Sequence, residues 1–327
     1  MRPLARHERG VALLVVLLLV AFMATLAVAV LDDIRFGQRR LLNARGADQA
    51  RWYALGAEAL ARAQIEKVLA AQPDRLTLAG NWNGRSFQFP VEGGGITMRV
   101  RDATLCFNLN SLVTGGNVLE AKKIAQRQFA AMLRALDLTE AEALSLTASI
   151  TDWMDTDQDV SALGAEDQDY QSLPLPYRTS GALLSEVSEL RAVRAITPAI
   201  YAKLRPYVCT LPTNELSPIN VNTLSLDQAP VLAGLVENKL ALAQLRSLLA
   251  NRPRAGWGSK SEFWSEALLR NVPVETESKS QIALTSRFFT LEARVVYGET
   301  ETVLSSLIEV LPGMRLRMLD RRWTSEE

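Results

Sequence analysis

Residues 8–33 read "ERGVALLVVLLLVAFMATLAVAVLDD", and how this stretch is read decides the fold. Residues 11–31 form an uncharged run of 21, closed by Asp32 and Asp33. A helix rising about 1.5 Å per residue needs a run of that length to cross a hydrocarbon core ~30 Å thick. Arg2, Arg6 and Arg9 precede the run, which favours a cytoplasmic N-terminus and export of the remainder. A cleavable secretory signal is the competing reading. The run is longer than the apolar part of such a signal, and no A-x-A site with a break in helical pattern follows it. A retained single span is therefore expected.

The helical pattern continues beyond the span. Ala54, Ala57, Ala61, Ile65 and Val68 recur at three- and four-residue spacing, with Glu58, Arg62, Glu66 and Lys67 assigned to the opposite, solvated face. One helix from residue 11 to about 71 is expected, closed by Pro73. Alternation then signals strands at Phe87, Phe89 and Val91 and again at Ile96, Met98 and Val100, with a glycine turn between them. It returns at Phe289, Leu291, Ala293 and Val295, and at Leu304, Ser306, Ile308 and Val310. Between the two strand regions lie segments of helical period, several opened by Ser or Thr with Glu three residues on, such as "TEAEAL". The expected class is α+β, a long N-terminal helix plus a small antiparallel sheet with a large all-α domain inserted into the sheet region.

Acidic and basic side chains number 36 each, so no global field favours nucleic acid. His7 is the only histidine, and a chain processed after it has no imidazole for a Ser-His or Cys-His site or for zinc. Cys106 and Cys209 form no CxxC motif and are either two free thiols or one disulfide, according to compartment.

Residues 152–170, "DWMDTDQDVSALGAEDQDY", carry seven carboxylates: Asp152, Asp155, Asp157, Asp159, Glu166, Asp167 and Asp169. No Lys, Arg or His occurs from residue 135 to 177. Like charges ~4 Å apart repel by about 1 kcal/mol in water and about 4 kcal/mol at an effective dielectric of 20. Asp155, Asp157, Asp159 and Glu166 match positions 1, 3, 5 and 12 of an EF-hand loop, although Val160 replaces the glycine of position 6. Oxygen ligands without His or Cys select calcium over zinc or copper. The competing readings are a solvated acidic loop and a catalytic carboxylate pair. Trp153, Leu163, Tyr170, Leu173 and Leu175 interleave the acids, which an exposed tail lacks.

The "ERG" leader before an uninterrupted apolar helix looks like a type IV prepilin N-terminus. "CFNLNSLV", "DWMDTDQD", "GAEDQDY", "YRTSGALLSEVSELR", "LRPYVC" and "PINVNT" together resemble the minor pseudopilin K family of type II secretion systems, over nearly the whole chain. The resemblance implies a type IV pilin-like fold with a helical insert that binds one or two structural calcium ions. It implies cleavage by prepilin peptidase between Gly10 and Val11, with N-methylation of Val11. Most pilins have Phe first and Glu fifth in the mature chain; here Val11 and Val15 stand there, which suits a subunit at a filament tip. The implied divisions are a leader (1–10), a transmembrane segment (11–31), a first pilin-like part (32–112), the insert (113–284), a C-terminal hairpin (285–312) and a basic, frayed tail (313–327). The implied place is the inner membrane, single-pass, with the globular part in the periplasm, where Cys106 and Cys209 are expected to pair. Implied partners are other minor pseudopilins, the major pseudopilin, the inner-membrane secretion platform and inner-membrane lipid.

Two rival functions are weighed. A periplasmic hydrolase using carboxylates lacks a histidine and any G-x-S-x-G motif. Residues 217–263, opening "SPINVNT", resemble helix-hairpin-helix DNA-binding modules, yet the turn that needs Gly-apolar-Gly reads "LVENKLAL", without glycine. A structural assembly protein without catalytic activity or nucleic-acid partner is the expectation.

Overall fold

The computed structural model describes residues 6–324, with side chains from Val11 onward; leader residues 1–5 and tail residues 325–327 lie outside the described residues. Helix α1 spans Arg6–Ala71, 66 residues, or about 100 Å at the α-helical rise. Gly10 and Val11 both lie within it. Residues 11–45 are exposed along their whole length. Further on, Ala50, Ala54, Ala57, Ala61, Ile65 and Leu69 are buried against a sheet. Small alanines at this spacing let the helix lie close to the strands, so the packing is dense without long side chains.

The sheet has five antiparallel strands: β1 (Ser86–Val91), β2 (Gly94–Asp102), β3 (Phe288–Tyr297), β4 (Thr300–Leu311) and β5 (Arg315–Arg322). Their spatial order is β1-β2-β3-β4-β5, and β2 pairs with β3 from Gly94↔Tyr297 to Asp102↔Phe289. The chain therefore leaves a simple meander at Asp102 and rejoins it at Phe288. Ile96, Met98, Val100, Phe289, Leu291, Ala293, Val295, Leu304 and Ile308 supply the face that α1 covers. The alternation of apolar residues places one face of each strand on the helix.

Strand β5 corrects the expectation of a frayed tail, and the reason is electrostatic. Arg321 donates from Nε and Nη2 to both oxygens of Glu58 on α1 at 2.8 and 2.9 Å. Arg317 donates from Nε and Nη2 to Oε2 of Glu309 on β4, and Arg287 donates from Nε and Nη2 to its Oε1. Glu58 and Glu309 are both buried, so the basic tail supplies counter-ions that these carboxylates require. Glu58 thus leaves the solvated face assigned to it, and Arg62 on that face donates to the Leu316 carbonyl.

The inserted residues 103–287 build a separate core. Its helices are α2 (Lys123–Ala135), α3 (Glu140–Met154), α4 (Asp167–Gln171), α5 (Pro198–Leu204), α6 (Ala229–Leu235), α7 (Leu242–Ala250), α8 (Lys260–Trp264) and α9 (Thr276–Ser280). Helices are the main regular structure of the insert, but it is not all-α as expected: it also contains three two-stranded ladders, Phe107–Asn108 with Val208–Cys209 among them. It begins earlier than the expected boundary at 112, because Leu105, Phe107, Leu109 and Leu112 all enter its core. The buried Asn108 and Asn110 of "CFNLNSLV" explain why. Asn110 Nδ2 donates to the Leu184 and Leu211 carbonyls, its Oδ1 accepts from Leu184 N, and Asn108 Oδ1 accepts from Leu211 N. These amides satisfy backbone groups that no regular ladder serves.

Asp102 sits at the crossing between sheet and insert, fully buried. Its Oδ1 accepts from Thr104 N at 2.9 Å and Thr104 Oγ1 at 2.6 Å. Its Oδ2 accepts from Thr223 Oγ1 at 2.6 Å and from Ser286 Oγ. One carboxylate therefore holds the outgoing chain, the middle of the insert and the returning chain. Asn220 adds to the joint, with Nδ2 donating to Ser286 Oγ and the Leu76 carbonyl. The disulfide Cys106–Cys209 lies close by, with Cα atoms 5.8 Å apart and a sequence separation of 103. Closing a loop of that size is worth up to about 4.7 kcal/mol in the chain-entropy model.

The joint makes a testable statement about stability. Asp102→Ala removes a charged acceptor from four donors and is expected to cost about 2–4 kcal/mol in denaturant unfolding. A loss under about 0.5 kcal/mol, typical of an exposed surface site, contradicts the role given to Asp102.

Candidate metal centre

The acidic stretch follows helix α3. Thr139 caps that helix in a reciprocal box, Glu142 N donating to Thr139 Oγ1 while Thr139 N donates to Glu142. Its last turn carries Asp152, whose Oδ2 accepts from Ser161 N at 3.2 Å and Ala165 N at 3.0 Å. These two bonds fold residues 155–165 back onto the helix end. Gly164 permits the approach: a Cβ there would lie 1.9 Å from Asp152 Oδ2. The Thr156 amide, donating to the Leu119 carbonyl at 3.0 Å, ties the loop's start to the rest of the insert.

Three carboxylates converge in the fold so made. Asp155, Asp157 and Glu166 each offer an oxygen, and these oxygens lie within 4.8 Å of one another. Asp155 and Glu166 are buried and Asp157 is exposed. Both Glu166 oxygens, Asp155 Oδ1 and Asp152 Oδ1 are buried without a hydrogen-bond partner. Four orphaned carboxylate oxygens in one place are expensive unless the charge is neutralised by protons or a cation.

The pKa directions express the same conflict. Burial, then the charges of Asp157 and Asp152, push Asp155 up to about 7. Burial, then the charges of Asp155 and Asp152, push Glu166 up to about 8. Asp152 is also raised, first by burial, against its hydrogen bonds from Ser161 and Ala165. The donor set is all oxygen and acidic, which suits a hard divalent cation.

Of the seven expected ligands, the structure gathers Asp155, Asp157 and Glu166, with Asp152 beside them. Asp159, Asp167 and Asp169 are not drawn in, each for its own reason. Asp159 is exposed, and its amide donates to Asp157 Oδ1 at 2.9 Å. Asp167 accepts from Thr179 N and Oγ1 and faces Arg178, and the Thr179 backbone bond holds its carboxyl below the usual range. Asp169 pairs with Arg194 at 2.5 Å while its Oδ2 accepts from Glu166 N at 3.2 Å. Arg194, Thr179, Ser161 and Gly164 escaped the sequence reading, since each pairs across a turn rather than at a motif spacing.

The helix-hairpin-helix likeness also finds its explanation. Asn222 of "INVNT" accepts from Trp257 N and donates to the Trp257 carbonyl, while Thr223 bonds Asp102. The connection from α6 to α7 places Glu237 and Asn238 at left-handed φ, where a phosphate-binding turn uses glycine. "INVNT" is a stitch in the insert's core.

In metal-free protein the raised pKa values set the sign of the pH response. A carboxyl whose folded pKa exceeds its unfolded value adds stability below the unfolded pKa, and this is lost as pH rises through the folded one. For Asp155 and Glu166 the window runs from about 4 to about 8. Chelated protein is expected to melt at progressively lower temperature across that window, and Glu166→Gln to flatten the trend. A chelated melting temperature that rises from pH 5 to 8 contradicts this.

Known proteins share both the sequence and the architecture. Two family models described as type II secretion system (T2SS), protein K match residues 105–213 and 219–285. The type II secretion system protein K of Pectobacterium carotovorum subsp. carotovorum is 36% identical over 322 residues, covering 97% of each chain. That of Aeromonas hydrophila is 35% identical over 328 residues, covering 98% of each. Among solved structures, a chain of the GspK-GspI-GspJ complex from the enterotoxigenic Escherichia coli type 2 secretion system superposes with a TM-score of 0.76 at 29% identity. The match covers 88% of this chain and 99% of that one.

Proposed function

The chain belongs to the type II secretion system protein K family and is a minor pseudopilin, and on that premise we propose that it occupies the tip of the periplasmic pseudopilus. The observation that carries this reading is the interruption of the sheet by residues 103–287 on a subunit whose α1 is exposed over residues 11–45. Subunits that stack through their N-terminal helices can add below such an insert, but its bulk hinders addition above it.

The anchor supports the same arrangement. Helix α1 is apolar enough to cross a membrane near its N-terminus, and its apolar window is exposed in the isolated chain. In this reading prepilin peptidase cleaves between Gly10 and Val11, and Val11 is methylated. Val15 brings no carboxylate into the span; a tip subunit has no predecessor whose amine must be neutralised in lipid. The span holds the chain in the inner membrane with the globular part in the periplasm, beside the major pseudopilin and the secretion platform. Its immediate partners are other minor pseudopilins, as in the E. coli complex of GspK with GspI and GspJ. Its function is assembly for protein export rather than catalysis.

Calcium is proposed as a structural ion held by Asp155, Asp157 and Glu166, with Asp152 bracing the loop. The buried, unpartnered oxygens of Asp155 and Glu166 support this reading. When bound, the ion supplies positive charge that neither burial nor the sequence provides locally.

Two experiments check the proposal. Full-length chain co-expressed with the other minor pseudopilins should purify as a stoichiometric complex, and gold-labelled subunits should mark filament ends only. Label distributed along filaments contradicts tip placement. For the ion, EDTA should lower the melting temperature and calcium restore it, with the effect lost in Glu166→Gln and kept in Asp159→Asn. Identical melting with and without calcium contradicts the site.

A further inference from the structure

A cavity of about 300 Å³ lies where the chain leaving α1 meets the insert, with residues 77–79 on one wall and residues 249–256 on the other. Its charged lining is Arg252 and Arg254, and neither Asp nor Glu lines it. We propose that this cavity is an oxyanion site, in which the two arginines hold a phosphate group or a carboxylate. The site goes beyond the assembly role given above and stands whatever place the subunit takes in a filament.

Both walls are tied in place. Gln72 Oε1 accepts from Thr77 N at 3.0 Å and from Thr77 Oγ1 at 2.6 Å, and Trp82 Nε1 donates to the Thr77 carbonyl at 2.8 Å. Opposite, Gly256 N donates to the Pro253 carbonyl at 2.8 Å and closes a turn that carries Arg254. Gly256 has φ +71°, and a Cβ there would lie 2.8 Å from Asn222 Oδ1 and 2.9 Å from Thr77 Cγ2, so the walls meet at this residue. Arg252 is half-buried, and its Nη1 donates to the Val221 carbonyl at 2.8 Å, which fixes the guanidinium at the cavity. A guanidinium carries five N–H donors in a planar fork that fits carboxylate and phosphate oxygens.

The charges of both segments leave the cavity cationic. Residues 72–79 hold Asp74 and Arg75, and residues 249–258 hold Arg252 and Arg254. Asp74 is exposed and does not line the cavity. Arg75 lies against Gly258, where a Cβ would come 3.0 Å from its Nη1. Glu262, also beside Gly258, accepts from the Gly258 amide at 2.6 Å and lines no part of the cavity. Among the described residues no carboxylate forms an ion pair with Arg75, Arg252 or Arg254, whereas Arg287, Arg317 and Arg321 all have one. Burial pushes the Arg252 pKa below its ordinary value, with nothing to offset it. The end of α7 does not engage these side chains, since its Ser247 and Leu249 carbonyls accept from the Asn251 and Arg252 amides. With a water taking about 30 Å³ of the liquid, the cavity has room for a tetrahedral oxyanion and several waters.

The test uses the full-length chain in detergent, without added calcium, and inorganic phosphate as the probe. At constant ionic strength, low-millimolar phosphate should broaden the phosphorus resonance and raise the melting temperature by a few degrees, saturably. Arg254→Gln, at an exposed side chain with no ion pair, should keep the phosphate-free melting temperature and weaken phosphate binding several-fold. Arg252→Gln should abolish binding, and Arg252→Lys should retain part of it. An equal effect of chloride, or wild-type phosphate binding by Arg254→Gln, overturns the site. The complex with the other minor pseudopilins then separates the two sources. Phosphate that still binds there identifies a free anion as the occupant and upholds the site. Phosphate that dissociates the wild-type complex at concentrations the Arg254→Gln complex withstands identifies a carboxylate of the partner, and upholds it equally.

Discussion

The architecture depends on one buried carboxylate. Inserting 185 residues between two adjacent strands risks a loosely hung appendage, because only two chain crossings join insert to sheet. Asp102 receives hydrogen bonds from both crossings and from the insert's interior. Burial pushes its pKa up while three hydroxyls and an amide pull it down, so each donor also keeps the charge tolerable. The disulfide at Cys106–Cys209 reinforces the same seam covalently. Sheet and insert are thus joined at one seam by hydrogen bonds and by a covalent bond.

Charge is handled differently at three depths. At the seam, hydroxyls solvate Asp102. Between helix and sheet, arginines from β5 and from Arg287 grip Glu58 and Glu309. In the acidic loop no protein cation reaches Asp155 or Glu166 among the described residues. The first two sites are complete within the chain. The third leaves buried carboxylate oxygens without a partner, the observation behind the proposed cation. The Trp153–Tyr170–Tyr177 cluster starts from the same helix end, so the acidic loop and the exposed "LPLPY" loop share one foundation.

Much of this is legible in the sequence. Alternation marked four of the sheet strands, and the alanine stripe marked the covered face of α1, because both signals come from burial on a single face. Strand β5 was not legible: "RLRMLDRR" reads as a solvated basic tail until Glu58 and Glu309 are seen to be buried opposite it. The acidic loop was legible as a group but not residue by residue. Spacing brought out Asp155, Asp157 and Glu166, yet it also suggested Asp159, which is exposed, and Asp167 and Asp169, which bond Thr179 and Arg194. Asp102 carried no signal at all, since its three hydroxyl partners lie 2, 121 and 184 residues away.

The central claim is that the loop closes on a cation, and Trp153 provides a direct reporter because it lies between Asp152 and Asp155. Terbium, which takes calcium's place at oxygen sites, should luminesce when the protein's tryptophans are excited. That emission should fall as calcium is added and be absent in the Glu166→Gln and Trp153→Phe variants. Terbium emission that is absent, or that Glu166→Gln leaves unchanged, contradicts the account.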